Sequence, residues 1–230
     1  MTIHNFTYFI ILVASLAFPL ILSFDKKVAF YKKWQFLFPS MLIPATFYIA
    51  WDIWFTSIGV WHFNEKYISG IHFYNLPIEE VLFFFVVPYC CLFIYECIRS
   101  YFPRVKDNGI SRTLFLLIGI ILISAGLFFY EKHYTSITFI FAGIFTCLVY
   151  FFKNYFRYFS AAAFLISYAI ILIPFLIVNG FLTAIPVVLY NDAENLGVRL
   201  YTIPVEDVFY GMLLVMMNVV GYEKKKYPRP

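Results

Sequence analysis

Seven apolar runs of membrane-crossing length dominate this chain, at roughly 3–23, 35–55, 77–97, 113–130, 136–152, 160–178 and 203–221. A helix of about 20 apolar residues crosses a hydrocarbon layer of about 30 Å. Inside lipid the backbone must bond to itself, which leaves helices or closed barrels. Composition agrees, with 63% hydrophobic and 13% charged residues, against about 25% charged in a typical soluble domain. The runs predict an all-α polytopic membrane protein with seven transmembrane helices. A further apolar stretch, 181–189, is too short to span and reads as interfacial or re-entrant. The first run lacks a basic residue ahead of it and a small-residue cleavage site, and Lys26-Lys27 follow it. It is therefore read as a membrane helix rather than a signal peptide.

The net charge of +4 is explained by where the charges fall. Seven spans sort the loops onto two sides. One side carries Lys26, Lys27, Lys32, Lys33, Arg99, Arg104, Lys106, Arg112, Lys153, Arg157, Lys224, Lys225, Lys226 and Arg229, which is 14 of the 17 basic residues. The other carries Lys66, Lys132 and Arg199. The positive-inside rule makes the first side cytoplasmic. The expected location is the cell (inner) membrane, multi-pass, with the N-terminus outside and the C-terminus in the cytoplasm. This distribution gives no reason to expect a nucleic-acid partner. Cys90, Cys91, Cys97 and Cys147 lie on or beside apolar runs without metal-ligand spacing and read as small core residues. His4, His62, His72 and His133 form no metal-ligand cluster, so neither metal nor cofactor is expected.

A shift of 127 residues aligns the two halves without a gap. Asn64 falls on Asn191, Gly70 on Gly197, Tyr74 on Tyr201, Pro77 on Pro204, Glu79 on Glu206, Val81 on Val208, and Tyr95-Glu96 on Tyr222-Glu223. Glu65 and Glu80 meet Asp192 and Asp207, which keeps charge, and Asp52 meets Asn179. Polar residues carry much of the match, so it is not a coincidence of two greasy sequences. The implied domains are a first repeat over 1–100, a linking segment with the fourth helix over 101–130, and a second repeat over 131–230. Three helices reverse the chain and a fourth restores its direction. The two three-helix repeats are therefore expected to run parallel, about an axis along the membrane normal.

That topology brings two acidic motifs, Pro77-Ile78-Glu79-Glu80 and Pro204-Val205-Glu206-Asp207, to one face of the membrane. Proline suits the first position of a helix and acidic residues suit its first turn, so each motif also reads as a capped helix start. Capping does not call for two adjacent carboxyls twice, however, and ionisable groups near membrane depth are costly and usually functional. Four carboxyls beside a low-dielectric cavity cannot all ionise. Glu79, Glu80, Glu206 and Asp207 are thus candidates for a general acid beside a general base. Asp52, at the outer end of the second helix, is either a third acidic member of that pocket, with Asn179 its neutral counterpart, or an interfacial anchor. Trp51, Trp54 and Trp61 offer π-faces able to stabilise a cation or belong to an aromatic belt. His72 and Arg199 precede the motifs and either tune the carboxyls or sit in solvated loops. Glu96 and Glu223 follow the motif glutamates by 17 residues, about 25 Å along a helix, and read as structural.

The chain has no Gly-x-Gly-x-x-Gly or Walker-type loop, so no dinucleotide fold or nucleotide motor is indicated. The seventh apolar run, 203–221, holds no lysine for a retinal Schiff base, and no Asp-x-x-x-Asp pair exists to hold magnesium pyrophosphate.

Residues 51–64, beginning Trp51-Asp52-Ile53-Trp54, together with Leu76-Pro77-Ile78-Glu79-Glu80-Val81-Leu82-Phe83-Phe84, resemble the small integral-membrane lycopene cyclases. That family is found as heterodimers of two short subunits or as one chain joining both. The segment 201–211, Tyr201 to Gly211, resembles the family's second half, so this chain is similar to the fused form. The resemblance implies a lycopene β-cyclase, an intramolecular lyase or isomerase that works without redox change. An acid protonates the terminal double bond of an acyclic carotenoid end, an internal double bond closes a six-membered ring, and a base removes a ring proton. Lycopene becomes γ-carotene and then β-carotene. It also implies Glu79, Glu80, Glu206 and Asp207 as the acid/base set, supported by Asp52, with Trp51, Trp54, Trp61, Tyr74, Tyr201, Asn179, Pro77 and Pro204 near the substrate. The expected partners are lycopene and membrane lipid, with a second copy of the chain or other carotenoid-pathway enzymes as protein partners. Alternatives are a cyclase of another ring type or of longer carotenoids, and a small seven-helix transporter of the SWEET kind, whose Pro-Gln motif is absent here.

Overall fold

The computed structural model describes residues 3–227, so Arg229 lies outside the described residues. It is mostly helical. Among the described residues seven α-helices follow one another: α1 Thr7–Leu22, α2 Trp34–Ser57, α3 Ile78–Tyr101, α4 Gly109–Phe128, α5 His133–Phe151, α6 Ala161–Ala184 and α7 Glu206–Lys226. Six are long and apolar enough to cross a membrane. The seventh, α7, carries Glu206 and Asp207 at one end and Glu223, Lys224, Lys225 and Lys226 at the other, around an uncharged middle. The apolar residues these helices leave exposed, among them Ile10, Val13 and Phe18 on α1, Leu114, Ile120 and Ile121 on α4, and Ile173 and Ile177 on α6, suit a lipid surroundings.

Helix α6 runs six residues further than the apolar run 160–178 suggests. It ends at Ala184 because Ile185 precedes Pro186, and a residue before proline is disfavoured in helical geometry. The stretch 181–189 is consequently not a separate interfacial segment. Its first residues complete α6, and its last belong to a strand, β4 Val188–Tyr190, which pairs antiparallel with β1 Trp61–Phe63. Two short hairpins complete the non-helical structure: β2 His72–Phe73 with β3 Leu76–Pro77, and β5 Arg199–Leu200 with β6 Ile203–Pro204.

The 127-residue match in sequence is also a match in bonding. Asn64 N–H donates to the Val187 carbonyl and Asn191 N–H to the Val60 carbonyl, both at 2.9 Å. The shift turns each bond into the other with the halves exchanged. Ile78 N–H reaches Ile71 O at 2.8 Å, and Val205 N–H reaches Val198 O at 3.0 Å. Packing crosses between halves as well, with α2 against α7 and α6 against α3. Helix α4 packs chiefly on α5. There Gly119 and Gly143 let the backbones touch, since a Cβ on Gly143 would stand 2.6 Å from the Gly119 carbonyl. Small residues at helix crossings permit this approach in lipid.

Basic residues gather at the end of the bundle away from the hairpins. Glu96 is buried between Lys33 and Lys226, the latter at 2.6 Å. Glu223 takes the Tyr95 hydroxyl at 2.9 Å and lies 3.9 Å from Arg99. These carboxyls tie the ends of α3 and α7 to the segment before α2.

Candidate active site

The acidic motifs are built from the hairpins outward. Tyr74 and Tyr201 occupy equivalent turn positions with left-handed backbone, at φ 56° and 62°. Each hairpin then hands the chain to α3 or α7. Pro77 is the residue just before α3 and Pro204 lies in β6, so neither is the first helical residue expected from the sequence. The residue after each proline uses its N–H to close the hairpin instead.

The two carboxyls of each motif then part company, because neighbouring side chains on a helix point about 100° apart. Glu79 and Glu206 are fully buried and turn back to the preceding loop. Glu79 Oε1 accepts the Ser69 N–H at 2.8 Å, and Glu206 Oε1 accepts the Leu196 N–H at 2.8 Å and the Thr135 hydroxyl at 2.6 Å. Each is a latch holding loop to helix. Glu80 and Asp207 face the other way, into a cavity enclosed by α1, α2, α3, α5, α6, α7 and the β1–β4 pair.

Three carboxyls meet there: Asp52 from α2, Glu80 from α3 and Asp207 from α7, all buried. Tyrosine hydroxyls serve each. Tyr8 donates to Glu80 Oε2 at 2.6 Å, and Tyr210 donates to Asp52 Oδ1. Asp207 receives two, from Tyr134 at Oδ1 and from Tyr190 at Oδ2, the latter at 2.8 Å. Burial first, and then the Asp207 charge, raise the Tyr190 phenol well above its ordinary range, so it stays a donor. Asp52 and Glu80 line the same slot, and each takes a phenol on one carboxyl oxygen only. Aromatic rings close around this centre. Tyr210 lies 4.7 Å from Tyr48, 5.3 Å from Trp51 and 6.1 Å from Trp61, centroid to centroid.

Below the carboxyls the cavity is apolar. Its wall on α3 runs from Glu80 to Cys91 and on α6 from Asn179 to Tyr168. Eleven residues of helix make this about 16 Å deep. The arrangement is a narrow greasy slot with all its acid at one end.

Of the residues singled out in sequence, Asp52, Glu80, Asp207, Asn179 and Trp61 line the slot. Trp51 packs behind Tyr210. Glu79, Glu206, Pro77 and Pro204 are buried but stand off the lining. Trp54, Tyr74 and Tyr201 face outward, at 46%, 81% and 86% exposure. His72 and Arg199 turn to the loop acids Glu65 and Asp192, at 3.4 and 2.5 Å. Arg199's hydrogen bond holds the Asp192 carboxyl below its usual range. The sequence reading passed over the tyrosines Tyr8, Tyr134, Tyr190 and Tyr210. One signal was available: Tyr8 and Tyr134 are equivalent at a shift of 126, hidden from an ungapped shift of 127 by a single residue.

Fold and cavity define a polytopic helical membrane protein with an internal repeat and a buried, carboxyl-bearing lipophilic slot. The chain belongs to the lycopene cyclase family, whose profile matches it twice, over residues 5–98 and again over 131–224. The two matches coincide with the two halves of the internal repeat and fuse them in one polypeptide. No curated protein and no solved structure matches the chain. Family membership supports a membrane enzyme of carotenoid biosynthesis, with carotenoid cyclase activity and a carotenoid substrate.

Proposed function

We propose that this protein is a lycopene β-cyclase that closes β-ionone rings by proton transfer within the slot, crossing the membrane seven times as two parallel three-helix repeats joined by α4. The observation that carries the reading is the junction of three buried carboxyls with a mostly apolar slot about 16 Å deep. An acyclic carotenoid is an apolar rod, and such a slot accepts one end of it with the terminal double bonds against the acids. The chemistry is an isomerisation. A carboxyl proton adds to C2 of the terminal double bond, leaving a tertiary cation at C1. The C5=C6 electron pair forms the C1–C6 bond and moves the cation to C5. Loss of the C6 proton to a carboxylate gives the β ring.

Each step has a group suited to it. Buried carboxyls hold protons that water would strip from them. The faces of Trp61, Tyr134 and Tyr210 attract cationic carbon. An apolar wall keeps water from quenching it. Glu80, Asp207 and Asp52 carry the proton chemistry, while Glu79 and Glu206 hold the helix starts. The basic end of the bundle faces the cytoplasm and the hairpin end faces outward, which supports a cell-membrane location.

Expressed in cells that accumulate lycopene, the protein is expected to convert it to β-carotene through γ-carotene. Chromatography of the pigments reads the result. Unchanged lycopene beside folded, membrane-inserted protein would overturn the cyclase reading, and ε rings in place of β rings would revise the ring type.

A further inference from the structure

The two halves of the site are not chemically equal. Asp52 in the first half stands against Asn179 in the second, so the first half brings two carboxyls to the slot and the second half brings one. Resting on the cyclase reading above, we infer that the carboxyls have fixed and different roles: the Asp52–Glu80 pair is the proton donor, and Asp207 is the base that takes the ring proton.

The hydrogen bonds carry this division. Asp52 and Glu80 are both buried on the wall of the slot, and neighbouring buried carboxyls do not both ionise. Each takes a single tyrosine hydroxyl, Tyr210 on Asp52 and Tyr8 on Glu80, which leaves its other oxygen free of any phenol. The pair therefore stores one proton at the wall of the slot. Asp207 is held differently. Both of its oxygens accept a phenol O–H, from Tyr134 and from Tyr190. A carboxylate, which only accepts, satisfies that arrangement. A protonated carboxyl would have to reverse one of these bonds, its own O–H donating to a phenol oxygen. Asn179 has no proton to share, and its amide donates to the Phe175 carbonyl at 3.2 Å, so the second half cannot exchange roles with the first.

The balance over one ring closure follows. The Asp52–Glu80 pair gives one proton to C2 of the end group. The C1–C6 bond forms at the expense of the C5=C6 bond, and the cation rests at C5. Asp207 takes the proton from C6, whose bonding electrons restore C5=C6. The substrate is unchanged in composition, the pair is one proton short, and Asp207 holds one more. Transfer of that proton back to the pair completes the cycle. Tyr134 and Tyr190 are positioning residues that aim the base at C6.

The test is product analysis of single variants of the full chain in lycopene-accumulating cells, with membrane insertion checked by blotting and detergent-phase chromatography. Asp52→Asn leaves no proton to share and is expected to return lycopene, with cyclic products down by about 100-fold or more. Asp207→Asn leaves the donor intact. Rings are expected still to close, but the C5 cation loses a proton from another carbon or captures water, giving ε-type, exocyclic or hydroxylated ends. Asp207→Glu restores a carboxylate and with it β rings. Tyr190→Phe shifts the product ratio away from β rings, whereas Tyr8→Phe lowers the amount formed without changing the ratio. If Asp207→Asn gives only lycopene while the wild type makes β-carotene, the division is wrong and the cyclase reading stands. Misplaced double bonds from Asp52→Asn would reverse the roles. An inactive wild type would remove the cyclase reading, and this inference with it.

Discussion

At the residue scale, the paired acids of each motif prove to be one latch and one cavity-facing group. Burying a carboxyl is costly unless hydrogen bonds satisfy it, and Glu206 accepts two, from the Leu196 amide and the Thr135 hydroxyl, both at Oε1, while its buried Oε2 has no hydrogen-bond partner among the described residues. Glu206→Ala strands both donors in the interior. It is expected to destabilise the protein by about 3 kcal/mol, since each buried donor left unpaired costs about 1–3 kcal/mol. Glu206→Gln keeps an acceptor oxygen and is expected to retain most of the stability and measurable activity. Thermal unfolding in detergent, with pigment assay alongside, reads both. Full loss of activity in a stable Glu206→Gln would give this residue a part in proton transfer instead. Tyr74 offers a contrast. It is 81% exposed with left-handed backbone at φ 56°. Tyr74→Asn is expected to be neutral and Tyr74→Val to cost about 1 kcal/mol, because β-branched residues tolerate that conformation poorly.

At the scale of elements, the hairpins and the helix starts work as units. A hairpin fixes the rotation of the helix it feeds, and rotation decides which of two adjacent carboxyls sees the slot. The α4–α5 contact is a different device, a crossing made close by glycines. A Cβ on Gly143 would lie 2.6 Å from the Gly119 carbonyl and 2.7 Å from the Ile123 side chain. Gly143→Leu therefore forces the two helices apart, and a loss of about 1–3 kcal/mol is expected from overpacking. Lower yield of folded protein in fluorescence-detected chromatography would report it. Because Gly143 lies nine residues along α5 from Tyr134, about 14 Å, the protein that does fold is expected to keep its product pattern.

At the scale of the molecule, the halves are bound by far more than the chain between them. Helix α2 packs on α7, α6 packs on α3, and β1 pairs with β4. The slot is lined by Asp52 and Glu80 from one half and Asp207 from the other. Cutting the chain between α3 and α4, within 102–108, leaves α4 with its partner α5. The fragments 1–104 and 105–230 are expected to reassemble when produced together and to restore pigment conversion. Either fragment alone should give none. Activity in one fragment would contradict a site shared across the repeat.

The sequence by itself determined the helices, the internal repeat and the position of both acidic motifs at helix starts. Each of these depends on periodicity, on run length or on residues near one another in the chain. The end of α6 was legible too, in Pro186, although the apolar stretch 181–189 concealed it. Tertiary structure alone decided which carboxyls face the slot. Tyr8 and Glu80 are 72 residues apart, Tyr134 and Asp207 are 73 apart, and Tyr210 and Asp52 are 158 apart. No local pattern reports such pairs, because a side chain's direction depends on how its helix is turned against its neighbours. For the same reason Trp54 and Trp61, seven residues apart in sequence, end on opposite sides of the wall. Packing turned one outward to the surface and the other inward to the slot.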